Sequence, residues 1–83
     1  MGETLMESQT LPLSAAPQGR PLSLVRVEGG HGFRRRLAEL GMTPGTPIKV
    51  LRNELNSPLV VELRGSRLML GRGVADRILV SLT

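Results

Sequence analysis

A chain of 83 residues, 40% of them hydrophobic and mostly Leu, Val and Ile, has room for one small aliphatic core and no second. It has no Cys, which excludes disulfides and thiolate metal sites, and Phe33 is its only aromatic, which argues against base-stacking recognition of single-stranded nucleic acid. The formal charge is +4, and every basic residue except Lys49 is Arg, a side chain suited to forked contacts with carboxylate or phosphate.

In chain order, residues 1–10 read as a disordered tail and residues 11–83 as one domain. The opening MGETLM approaches a myristoylation signal but has Met6 where Ser or Thr is required. No basic-then-apolar leader is present, and no apolar run nears the roughly 20 residues of a membrane span, so a cytoplasmic, unlipidated protein is expected. LPLSAAPQG, residues 11–19, reads as a turn-rich lead-in with one helical turn at Ser14 to Ala16. Arg20 to Glu28 is the first expected strand, with Val25 and Val27 on one face and Leu24 and Arg26 on the other.

Three glycines, at 29, 30 and 32, end that strand. From Gly32 to Leu40 the period changes: Phe33, Leu37 and Leu40 fall at i, i+4 and i+7, one stripe of a short helix. Gly41 is placed to cap it and Pro44 to stop it. Further strands are expected at Thr46 to Arg52, Leu59 to Arg64, Arg67 to Leu70 after a Gly65-Ser66 turn, and Ile78 to Leu82. The loop NELNSP, 53–58, carries an exposed-looking Leu55. In GRGVADR, 71–77, Gly71 and Gly73 each disfavour helix by about 1 kcal/mol relative to Ala. Short strands, tight turns and one helix together predict a mainly β protein, a small closed or partly open barrel.

No residue pattern supports catalysis. His31 is the only histidine and lies in a glycine loop with Glu28 as its one nearby carboxylate, which gives two metal ligands at most. GGHG lacks the third glycine of a dinucleotide fingerprint and the Lys of a phosphate loop, so the glycines are read as permitting the strand-to-helix turn. Met42 and Met69 are read as packing residues.

Arg34, Arg35 and Arg36 stand out, because the positive end of the helix dipole disfavours cations there. They are read as placed for a partner. The competing account has their stems packed on the barrel and their charges paired with Glu28, Glu39 or Glu62.

EGGHGFRRRLAELGMTPGT, Glu28 to Thr46, resembles the central signature of the FeoA family, and the resemblance extends from about Leu13 to Leu82 through LSAAPQG, PIKVLRN and VELRGSRLML. It implies an SH3-like small β-barrel of five or six strands with one short α-helix inserted after the first strand. It also implies a small accessory or regulatory protein of bacterial ferrous-iron uptake, with transition-metal binding at the level of the family. The partner it implies is FeoB, a membrane permease with a cytoplasmic GTPase domain, so that the protein would meet the membrane only through FeoB. No cofactor is expected. GRGVADR and NELNSP both depart from the family pattern. The candidate partner-binding residues are Arg34, Arg35, Arg36, Leu55 and Met42. The alternative is a basic small-barrel module for nucleic acid, whose binding would collapse steeply with salt.

Overall fold

The computed structural model describes residues 10–83; the tail expected over residues 1–10 lies outside the described residues except for Thr10, which opens a strand. The elements are β1 (Thr10–Pro12), a 3-10 turn (Leu13–Ala15), β2 (Leu22–Val27), α1 (His31–Glu39), β3 (Pro47–Arg52), β4 (Leu59–Leu63), β5 (Ser66–Leu70), α2 (Arg72–Ala75) and β6 (Ile78–Leu82). The strands pair antiparallel in the order β1-β6-β2-β3-β4-β5. The fold is therefore mainly β, as expected, with six strands. Because β1 precedes the expected first strand, the helix follows the second strand.

One aliphatic core runs through this sheet. Leu22, Leu24, Ile48, Val50, Leu59, Val61, Leu63, Leu70, Ile78 and Val80 supply its strand residues, while Leu13, Ala16, Leu37, Met42 and Ala75 close it from the helices and connections. Simple alternation fails in β2. The pairs Leu24↔Val80 and Arg26↔Leu79 leave Val25 as an extra residue, a β-bulge that resets the side-chain facing. Leu22 and Leu24 are buried together as alternation requires, and the bulge after Leu24 lets Val27 pack on the same core. A period of two carried through all of Arg20 to Glu28 had put Leu24 and Val27 on opposite faces.

The β4–β5 turn also lies one residue earlier than the glycine suggested. Arg64 (φ 53°) and Gly65 (φ 81°) are its central residues, and Leu63 faces Ser66 across it. Two positive φ angles match the right-handed strand twist, so the hairpin tolerates an Arg in the left-handed region.

The stretch 71–77 forms one helical turn despite its glycines, because tertiary contacts outweigh propensity. Ala75 is fully buried, and the Arg72 guanidinium donates to the carbonyls of Glu54 (3.1 Å), Ser57 (3.2 Å) and Ser14 (3.5 Å). Asn53 supports the same junction, with Nδ2 donating to the Ser14 carbonyl at 2.9 Å and its backbone N–H to Gln18 Oε1 at 2.8 Å. Ser14 Oγ donates to Asp76 Oδ1. Arg72→Ala is expected to cost about 1–2 kcal/mol in urea unfolding followed by far-UV circular dichroism, because several carbonyls lose a charged donor. Arg72→Lys should recover only part of this, since an ammonium cannot reproduce the fork.

Candidate functional site: the arginine helix and its surroundings

Helix α1 is short, so its placement depends on its ends. Gly30 is the N-cap and no side chain caps there; no acidic residue occupies the first turn. At the other end Leu40 is the C-cap and Gly41 follows at φ +99°. The Gly41 N–H donates to the Ala38 carbonyl (2.9 Å) and the Met42 N–H to the Leu37 carbonyl (3.0 Å), the two bonds of a Schellman motif. The hydrophobic contact that accompanies this motif joins the residue after the glycine to the last inward helical residue. Here those are Met42 and Leu37, both buried in the core.

This geometry corrects two expectations. Leu40 is 51% exposed and does not complete the buried stripe, because the chain reverses at Gly41 and Met42 takes the inward position. Met42 is 2% exposed and packs in the core, so it leaves the set of partner-binding candidates. Phe33 and Leu37 hold the helix to the barrel as expected, with Phe33 half-buried.

Phe33 is fixed from two sides. The Arg77 guanidinium lies over its ring, 5.4 Å from the centroid, a cation–π contact between helix and β6 entry. At the ring edge Gly29 adopts φ +136°, and a Cβ there would come within 2.9 Å of Phe33 Cδ2 and 3.5 Å of Arg77 Nη1. Of the glycines leading into the helix, Gly29 alone carries a positive φ and a close neighbour; Gly30 and Gly32 have open space.

Arg34, Arg35 and Arg36 are all exposed. Glu28, one of the carboxylates expected to pair with them, is bound instead by Arg26, whose Nη2 lies 3.2 Å from Oε2. Among the described residues, no carboxylate forms an ion pair with Arg34, Arg35 or Arg36. Arg34 lines a cleft of about 530 Å³ between the end of β2 and α1, together with Arg26, Glu28, Ala38 and Thr43.

Leu55 is 87% exposed at the tip of the β3–β4 loop. The hydrogen bonds of that loop run to Arg72, Ser14 and Gln18, not to α1, so no described bond unites Leu55 with the arginines into one site. Met69, read from sequence as a packing residue, is 71% exposed on β5. The signal was present in the alternation Arg67-Leu68-Met69-Leu70, where Leu70 is buried and Arg67 and Met69 share the outer face. Among the described residues, no group of three or more His, Cys, Asp or Glu comes together, and no helix is long and apolar enough to cross a membrane.

The result is a small β-barrel with arginines exposed on a seated helix and large apolar side chains exposed singly at Leu40, Leu55 and Met69. The FeoA domain matches residues 11–82, and the chain belongs to the FeoA family of ferrous-iron transport accessory proteins. It is 35% identical over 69 residues to a Methanocaldococcus jannaschii protein named as a candidate Fe(2+) transport protein A, covering 83% of each chain. A crystal structure of an iron uptake regulatory protein, FeoA, superposes with a TM-score of 0.82 at 34% identity, covering 89% of this chain and 99% of that one. The zinc-complexed FeoA of Stenotrophomonas maltophilia, described as an SH3-domain protein, matches with a TM-score of 0.75 at 26% identity, over 86% of this chain and 89% of that one. The barrel is accordingly SH3-like.

Proposed function

We propose that this protein acts in the cytoplasm as a non-catalytic accessory of ferrous-iron uptake, docking on the FeoB permease through the exposed face of α1. The observation that carries this reading is the set of arginines at 34, 35 and 36, held on a helix whose ends are fixed by Gly29, Phe33 and the Schellman turn, with no carboxylate pairing them among the described residues. Because α1 starts at His31, the arginines lie past its N-terminal end, with Arg36 in the last turn, so the dipole does not oppose them as the sequence had suggested. Exposed and without an ion-pair partner among the described residues, they suit an external anionic surface. Leu55 belongs to this proposal as a second, separate contact, since an exposed leucine at a loop tip can enter an apolar pocket of a partner.

The test is a pull-down with detergent-solubilised FeoB from the same organism at about 0.2 M salt, where loose electrostatic association is screened. Wild type should be retained and folded Arg34/Arg35→Ser should be lost. Equal retention of both would remove the arginines from the interface. Retention of neither, with salt-sensitive binding to duplex DNA, would favour the nucleic-acid module instead.

A further inference from the structure

Strand β5 is an outer strand of the sheet, with β4 as its only strand neighbour. Its hairpin geometry determines which groups stand on the open side. Leu63 and Ser66 flank the two-residue Arg64–Gly65 turn, so they form the pair that exchanges both backbone bonds. Bonding alternates along an antiparallel ladder. Ser66, Leu68 and Leu70 therefore direct N–H and C=O at β4, while Arg67 and Met69 direct theirs away from the sheet. No turn or loop bond among the described residues takes up these outward groups.

Two devices that commonly blunt an edge, a bulge and a proline, are missing here, and the one charge on the strand, Arg67, repels only basic partners. The β4–β5 register runs unbroken from Leu59↔Leu70 to Leu63↔Ser66, with no bulge, and β5 contains no proline. The opposite edge, β1, is only three residues long and ends on Pro12. Side chains sort along β5 as the backbone does. Met69 projects outward beside half-buried Val60, and Arg67 stands across from Glu62, whose other neighbour is Lys49. The row Lys49–Glu62–Arg67 thus has two cations to one carboxylate, next to an exposed apolar side chain.

We propose that the β5 edge is a strand-addition site for an extended acidic–apolar segment of a protein partner. The segment runs antiparallel to β5, with an apolar residue beside Met69 and, two positions later, Asp or Glu beside Arg67. Charge complementarity selects this occupant. A basic strand would set like charge against Arg67 with Lys49 behind it. A second copy in the register that sets Arg67 against its mate's Met69 would give neither guanidinium an anion beyond its own Glu62, which Lys49 shares. The site uses none of the α1 arginines and is independent of the FeoB reading.

The test is an amide NMR titration of the wild-type chain with the synthetic peptide acetyl-Thr-Leu-Thr-Glu-Val-Thr-amide at millimolar concentration, beside the same peptide carrying Lys for Glu. Saturable shifts confined to β5 and adjacent β4 are expected, with the Lys peptide weaker by about tenfold. Arg67→Glu should reverse that preference. Met69→Pro removes an outward N–H but no ladder bond, and should abolish binding if the variant folds; the Arg67→Glu reversal decides the matter if it does not. The proposal is overturned by the absence of saturable shifts at β5, by equal binding of the two peptides, or by a dimer paired through β5 before peptide is added.

Discussion

Met42→Ala is expected to lower the unfolding free energy by about 2–4 kcal/mol, the range for truncating a fully buried long side chain. Met42 is 2% exposed and seals the Schellman turn against Leu37, so its loss opens a cavity and also releases the end of α1. In a domain this small, whose total stability lies near the bottom of the range, about 5 kcal/mol, that is most of what holds it folded. Urea titration followed by far-UV circular dichroism measures the loss directly. Met42→Leu keeps the volume and should cost less than about 1.5 kcal/mol. A residue that served only as a partner contact would behave differently, with both variants as stable as wild type. The experiment therefore separates a core residue from a contact residue at a position where sequence had suggested both.

Gly29→Ala is expected to cost about 1–3 kcal/mol, through a left-handed backbone that Ala rarely adopts and through a Cβ driven against the Phe33 ring. Gly30→Ala is the matched control. Its φ of −68° is ordinary and open space surrounds the added methyl, so it should be near neutral. Thermal melts of the two variants side by side check the contrast. Because Phe33 cannot keep its seat when Gly29 gains a side chain, Gly29→Ala should also shift the helix that carries the arginines. On the proposed docking through α1, retention on FeoB would then fall even at temperatures where the variant is folded.

The strands beyond Thr46 were legible because period two and turn residues agree there: Ile78–Leu82 matches the expected strand end for end, and each of the other three differs by one residue at one end only. Three features were not legible, each for a definite reason. The bulge at Val25 breaks alternation without any residue type that announces it. The turn at Arg72–Ala75 owes its existence to bonds with residues far away in the chain, which no local propensity contains. The exchange of Leu40 for Met42 follows from the chain reversal at Gly41, which a helical wheel extended past the cap cannot represent. Arg34, Arg35 and Arg36 are exposed. Which carboxylates they would meet depended on Arg26 taking Glu28, a contact made within one strand end.

The stacking of Arg77 on Phe33 has a consequence for observing this molecule. Phe33 is the sole Phe, Tyr or Trp ring in the chain, and a guanidinium lies over its face. Protons of the Arg77 side chain held over this ring should resonate upfield, and a Phe33→Leu variant, which keeps the His31 imidazole, should lose that displacement. That displacement exists only while α1 is seated against the start of β6. Its amplitude is a built-in gauge of helix docking, readable in one proton spectrum with no label and no added probe, whether the chain is alone or bound.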